Sequence, residues 1–209
     1  MNKTLLQLNS SIYSTSSQST LLADQLAARW RAENPAGTTI VRDLARTPLP
    51  HLTAERFQAF ITKPEARTSA QQDIVAESDA LVEELKRADV IVVAAPMYNF
   101  SVPSTLKSWF DHVARAGVTF SYSAQGPVGL LTGKKAYIVS TRGGFYAGTP
   151  GDNEAPFIRQ FLGFLGITDV EFVYAEGLAV SEASRASGIA GAQRAIEHLS
   201  EVEAEALAA

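Results

Sequence analysis

The sequence predicts an open α/β architecture, a parallel sheet of five strands with helices on both faces. Three observations carry that reading. Apolar runs of strand length alternate along the chain with segments of helical periodicity. The runs at 90–95 and 136–140 are apolar without alternation, as strands covered on both faces are. No internal repeat, low-complexity linker or charge block interrupts the order, so residues 1–209 are expected to form one domain.

Residues 4–9 (TLLQLN) read as the first strand, closed by the polar loop 10–17. Leu21, Leu22, Leu26 and Trp30 recur at helical spacing over 18–33, and Asn34-Pro35-Ala36-Gly37 stops that helix. The second strand, 38–42 (TTIVR), leads into the Pro-bearing loop 43–50. A short helix is expected over 53–60, broken by Lys63-Pro64. Ile74, Leu81, Val82 and Leu85 form the apolar stripe of a helix over 69–86, and 88–95 is the third strand. Pro103 can start a helix over 102–113, because a first-turn proline loses no hydrogen bond. A strand at 133–140, a helix at 151–165, a strand at 169–175 and an Ala- and Glu-rich helix at 181–208 complete the order. Ligands of such sheets sit beyond the carboxyl ends of the strands, here loops 10–17, 43–50, 96–101, 141–151 and 176–180.

Composition narrows the chemistry. Hydrophobic residues make up 46% of the chain, enough for a large core, and the net charge of −4 argues against nucleic acid or an anionic membrane as partner. The absence of cysteine excludes disulfides, thiolate metal sites and cysteine nucleophiles. His51, His112 and His198 lack metal-ligand spacing, so no metal is expected, and His112 reads as a structural residue. Asp111 has no acidic partner at i+3 or i+4, and G-x-S-x-G is absent. No run approaches the ~18 apolar residues of a membrane span, and the N-terminal run is too short for a signal segment. A cytoplasmic protein is the expectation.

Three loops remain. SSIYSTSSQS, 10–19, puts hydroxyls at a helix start, where free N–H groups favour an anion. It lacks G-x-G-x-x-G and G-x-x-x-x-G-K-[ST], so a terminal phosphomonoester fits better than a dinucleotide or triphosphate. PMYNFS, 96–101, offers Tyr98 and Phe100 to a ring and the Asn99 amide to a polar edge. STRGGFY, 140–146, has a glycine pair that lets backbone approach a ligand, with Arg142 either a charge near the ring or a surface residue. Taken singly, each has a plain alternative: a Ser-rich cap, core or interface aromatics, an ordinary turn. Together, at one sheet edge, they describe a site for a phosphate joined to a planar, polar-edged ring, the shape of flavin mononucleotide.

The same residues resemble the FMN-dependent NADH azoreductases, flavodoxin-like quinone and azo-dye reductases. The matching stretches are Ser10-Ser11 with Ser17-Gln18-Ser19, APMYNF at 95–100, Phe110-Asp111, ARAGVTF at 114–120, GKKA at 133–136, Arg142-Gly143-Gly144 and FLGFLGI at 161–167. The resemblance covers nearly the whole chain. It implies a flavodoxin-like open sheet of order 2-1-3-4-5 and a homodimer with FMN at the subunit interface. Ser10, Ser17, Gln18 and Ser19 would hold the phosphate. Pro96, Met97, Tyr98, Asn99 and Phe100 would line the ring, and Thr141, Arg142, Gly143 and Gly144 would follow its pyrimidine side. It implies ping-pong, two-electron reduction of quinones by NADH, and reductive cleavage of azo compounds to amines. No protein acid or base is assigned, with flavin N5 taking the hydride and Asn99, Gly143 and Gly144 as candidates for tuning the ring. Tyr122, Phe145, Tyr146 and Phe164 are expected at the substrate pocket, Phe145 and Tyr146 standing where some relatives carry a histidine. NADPH stays open as reductant because no motif reads its 2′-phosphate. A flavodoxin-type electron carrier and a flavin-free interaction module are the alternatives. A carrier is expected to be shorter and more acidic, and a flavin-free module would be colourless.

Overall fold

The computed structural model describes residues 2–208, with side chains through residue 199. Its elements are β1 (Thr4–Asn9), α1 (Gln18–Glu33), β2 (Thr38–Asp43), α2 (Ala54–Ile61), α3 (Ser69–Arg87), β3 (Val90–Pro96), α4 (Ser104–Val113), β4 (Phe120–Ser123), β5 (Gly126–Gly129), β6 (Lys135–Thr141), α5 (Glu154–Leu165), β7 (Asp169–Ala175) and α6 (Glu182–Ala208). Five parallel strands form one sheet in the order β2-β1-β3-β6-β7. That is the expected 2-1-3-4-5 order, with β6 and β7 as the fourth and fifth sheet strands.

The two-residue repeat of the strands sorts the core onto two faces. Leu6 and Leu8 of β1, with Ile91, Val93 and Ala95 of β3, pack with α3, α4 and α5 residues such as Leu81, Leu106 and Leu162. Leu5, Val92, Ala94 and Val139 point the other way, against Leu22, Leu26 and Trp30 of α1 and Ile196 of α6. Both faces are covered, so the strands read as apolar runs. Each fully buried leucine contributes about 1.5–3 kcal/mol.

Departures from the sequence reading have local causes. Residues 117–132, to which the sequence assigns neither helix nor strand, contain an antiparallel hairpin, β4–β5. Its second strand is GPVG, a composition depleted in sheets, so patterning hid it. The hairpin docks on α5 by backbone contact. A Cβ at Gly129 would lie 2.0 Å from the amide nitrogen of Gly166, the left-handed C-cap of α5. The helix expected from 151 starts at Glu154, because the Asp152 carboxylate takes up the Ala155 amide. The helix expected from 102 starts at Ser104, with Pro103 as its cap residue.

The order reverses between β1 and β3. The chain runs outward to β2, then returns to the other side of β1. A crevice opens at that switch point, flanked by the loops that leave β1 and β3.

Candidate active site at the sheet edge

The loop after β1 is tied down before it reaches α1. Ser10 is fully buried, and its hydroxyl donates to the Ala94 carbonyl of β3 at 2.6 Å. That bond occupies the hydroxyl's only proton, so Ser10 joins two strand ends rather than facing the crevice. The Ser11 hydroxyl and the Tyr98 phenol lie 3.0 Å apart. Ser14 takes a left-handed φ of 50° and donates to the Asp43 carboxylate, whose Oδ1 also accepts from the Ala45 and Arg46 amides. Asp43 therefore positions the loop, a role that no sequence pattern signals.

Ser17 caps α1, accepting from the Thr20 amide at 3.1 Å, with the Ser19 hydroxyl also 3.1 Å away. Ser19 and Thr20 are fully buried. Among the described residues the amides of Gln18 and Ser19 have no intramolecular acceptor. The first turn of α1 holds no acidic residue. Helix starts commonly carry Asp or Glu against the positive end of the macrodipole. Here hydroxyls and uncompensated amides stand instead, a donor set suited to an anion.

The loop after β3 stores backbone strain. The Met97 amide donates to the Thr141 carbonyl at 2.9 Å, joining the ends of β3 and β6 beyond Pro96. Tyr98 and Ser101 exchange reciprocal backbone bonds, and the residues between them, Asn99 and Phe100, have φ of 50° and 66°. Two successive positive φ values mark a type I′ turn. Asn tolerates that region, whereas a bulky aromatic there costs about 1–3 kcal/mol. The turn holds both side chains out of the fold, with the Phe100 ring edge-on to Tyr146 at 5.7 Å.

In the glycine-pair loop, Arg142 corrects both sequence alternatives. It is neither a ring-side charge nor a surface residue, because its side chain is 0% exposed. The guanidinium grips Asp152 through two bonds of 2.9 Å, donates to the Ser140 hydroxyl at 2.9 Å, and reaches Glu154 at 3.3 Å and Glu176 at 3.5 Å. Its amide and carbonyl pair with Ala175 and Leu178. The Gly143 and Gly144 amides have no intramolecular acceptor among the described residues, while their carbonyls accept from Ala179 and Gly177. Thr141 is buried, its carbonyl taken by Met97.

Burial pushes the fully buried Glu154 carboxyl up to about 7, against the opposing pull of Ser140 and Arg142. Among the described residues its Oε1 has no hydrogen-bond partner. Burial also works against ionised Asp152, but Arg142 and the Ala155 amide outweigh it and hold that carboxyl below its ordinary range. The two acids thus pull stability in opposite directions. From the ordinary 4.5 to about 7 the folded state retains the Glu154 proton that the unfolded chain has lost, so this group's contribution falls as pH rises through that window and is level above it. The fall is on the order of 3 kcal/mol. Glu154→Gln cannot ionise and should lack it. Urea unfolding of both proteins at about pH 5 and about pH 8 measures the difference. Parallel pH profiles would contradict the assignment.

The four residues expected at the substrate pocket fall in two places. Tyr146 meets Phe100 at the crevice, and the exposed Phe145 lies over Gly177. Tyr122 and Phe164 meet instead around Phe120, with centroid distances of 5.6 and 4.3 Å, in a groove of about 610 Å³ that Phe57, Phe60 and Arg115 also line. A second cavity of about 470 Å³ lies against Tyr98, Asn99, Ser101 and Lys107, and Asp111 lines both. His112 is fully buried, with Nδ1 2.7 Å from the Ser108 carbonyl and Nε2 3.2 Å from the Arg56 guanidinium. The first bond lies within α4, and the second ties α4 to α2. Among the described residues no cluster of His, Asp and Glu could hold a metal ion, and no helix is long and apolar enough to cross a membrane.

A crevice at the switch point of a parallel sheet, with an anion-ready helix start and two ring-height loops, defines a class, and comparison with known proteins agrees. The profile of the flavodoxin-like fold family matches residues 3–199. An FMN-dependent NADH:quinone oxidoreductase of Paraburkholderia phymatum is 52% identical over 193 residues, covering 92% of this chain and 98% of that protein. Its counterpart in Burkholderia thailandensis is 54% identical over the same length and shares. Among solved structures, azoreductase AzrA superposes with a TM-score of 0.86 at 27% identity, over 95% of this chain and 99% of that one. An azoreductase from Bacillus anthracis gives 0.84 at 27% identity, over 94% and 98%. The chain belongs to the flavodoxin-like family of FMN-dependent NADH:quinone oxidoreductases and azoreductases.

Proposed function

We propose that the chain, acting as one FMN-binding unit over 1–209, transfers two electrons from NADH to quinones and reductively cleaves aromatic azo compounds to amines. One hydride and one proton convert a quinone to its hydroquinone. Cleavage of an azo bond to two amines consumes two molecules of NADH. The observation that carries the reading is the convergence of two donor sets on one sheet edge. The α1 start offers the Gln18 and Ser19 amides and carries no acidic side chain, and the outward-held Asn99 stands with the unpaired amides of Gly143 and Gly144.

The residues present fit FMN. Ser17, Gln18 and Ser19 would hold the phosphate, with Ser10 fixing the loop that presents them. Pro96, Met97, Tyr98, Asn99 and Phe100 would line the ring, and Thr141 and the backbone of Arg142, Gly143 and Gly144 would follow its polar edge. Bound there, FMN supplies hydride transfer between the reductant and the acceptor. Asn99 and the glycine amides stabilise negative charge at the ring edge. The aromatic side chains shape a surface for planar acceptors with little discrimination among them. Placement matters more than proton chemistry in this step.

A homodimer belongs to the same reading. Leu52, Phe57, Ile61 and Tyr122 are large, exposed and line one groove, a concentration of apolar surface that a second copy would cover. From α5, Phe164 also lines it, packed on Phe120 at 4.3 Å. A copy seated there would lie against Asp111, beside the Asn99 cavity. Sedimentation followed in the flavin absorption band should give about twice the 22.4 kDa chain mass, with one FMN per chain on heat release. Recovery of FAD, or a fully active species at chain mass, would refute the corresponding part. A cytoplasmic location follows from the reductant, and cell fractionation tests it.

A further inference from the structure

The segment after β7 runs along the glycine-pair loop as a scaffold. Gly177 N–H donates to the Gly144 carbonyl at 2.9 Å, Leu178 N–H to Arg142 at 3.1 Å and Ala179 N–H to Gly143 at 2.9 Å. Glu176 continues this one step further with its side chain. Its Oε1 accepts from the Tyr146 amide at 2.7 Å and from the Ala147 amide at 2.8 Å. Gly177 then turns away with φ of 71°, where a Cβ would come within 2.5 Å of the Phe145 ring. The Tyr146 ring held by this tether meets Phe100, itself held out by the strained turn. One carboxyl oxygen therefore fixes the backbone of one half of an aromatic pair whose other half is fixed by the β3 loop.

We propose that Glu176 is a positioning residue that determines acceptor specificity, holding the Tyr146–Phe100 pair as a rigid wall for acceptors of more than one ring. This rests on the reductase reading above. A two-ring azo compound needs the whole wall in place, whereas a single-ring quinone needs little of it. The length of the side chain decides whether the tether is made at all, while its charge strengthens the two amide bonds and the longer Arg142 contact at 3.5 Å.

Two variants separate those roles. Glu176→Asp keeps the charge and withdraws the oxygen by one methylene. Glu176→Gln removes the charge and keeps an acceptor at full reach. Hydrogen–deuterium exchange of residues 144–148 in flavin-free protein is expected to speed up about tenfold in Glu176→Asp and by a smaller factor in Glu176→Gln, which keeps the reach but loses the charge. In the FMN-loaded enzyme, Glu176→Asp should raise KM for a two-ring azo dye about tenfold at constant kcat, with KM for benzoquinone within about threefold of wild type, and Glu176→Gln should raise the former by less. The reverse ranking of the two variants, unchanged exchange in Glu176→Asp, or an equal rise for both acceptors would overturn the proposal. The exchange comparison needs neither flavin nor acceptor. A wild-type protein inert toward both acceptors would thus refute the reductase reading, while exchange still decides the tether.

Discussion

Arg142→Met is expected to destabilise the fold by about 3–5 kcal/mol. The guanidinium is the cation for Asp152 and Glu154, whose side chains are 5% and 0% exposed, and it also reaches Glu176. Methionine fills part of the volume but leaves the bidentate acceptor Asp152 buried without a counter-charge. The loop from 142 to 152 is closed by that pair, and Asp152 also takes up the Ala155 amide at the start of α5. Loss therefore spreads from one ion pair to a helix start. Urea unfolding measures it, and Arg142→Met with Asp152→Leu should recover part of the loss by removing the orphaned acid. A loss below about 1 kcal/mol would mean that solvent reaches the cluster.

Phosphate binding and ring chemistry are expected to separate by mutation. Ser19→Ala should weaken FMN binding roughly ten- to hundredfold, because a hydrogen bond to a charged group is worth about 1.5–3 kcal/mol. Ser17→Ala should weaken it less, through the helix start alone, because the Ser17 proton goes to Thr20 Oγ1 at 2.9 Å, and should cost about 1 kcal/mol of stability, since Ser17 caps α1. At full occupancy the reduction rate of either variant should match wild type. Asn99→Gly should behave in the opposite way. Glycine accepts the φ of 50° without strain, so the turn survives while the amide is lost. Flavin stays bound, and reduction by NADH slows. Stopped-flow reduction of saturated variants reads both halves. Slow reduction in Ser19→Ala with normal reduction in Asn99→Gly would reverse the roles given to the two loops.

The sequence is legible where local signals and the fold agree. The strands at 4–9 and 169–175 and the helix at 18–33 end where patterning places them. Their apolar runs, turn residues and caps all lie within a few positions of each other. The three loops proposed for the ring and phosphate stand out for a related reason, since each combines unusual residue types at a strand exit. What was hidden depends on partners far along the chain. Arg142 looked like a ligand or surface charge because its partners Asp152, Glu154 and Glu176 are set by the packing of β6, α5 and the exit of β7. Asp43 looked like a loop residue because its hold on Ser14 exists only once β1 and β2 lie side by side. Ser10 matched the phosphate pattern by type, while its hydroxyl serves the neighbouring strand. The β4–β5 hairpin escaped because its second strand is built from glycine and proline, and its support comes from α5.

The most direct test of the account mixes the yellow, FMN-loaded protein anaerobically with one equivalent of NADH and then with benzoquinone. The flavin band should bleach in the first step and return in the second, with hydroquinone formed in an amount equal to the NADH consumed. A band that NADH leaves unchanged, or one that bleaches but is not restored by quinone, would contradict it.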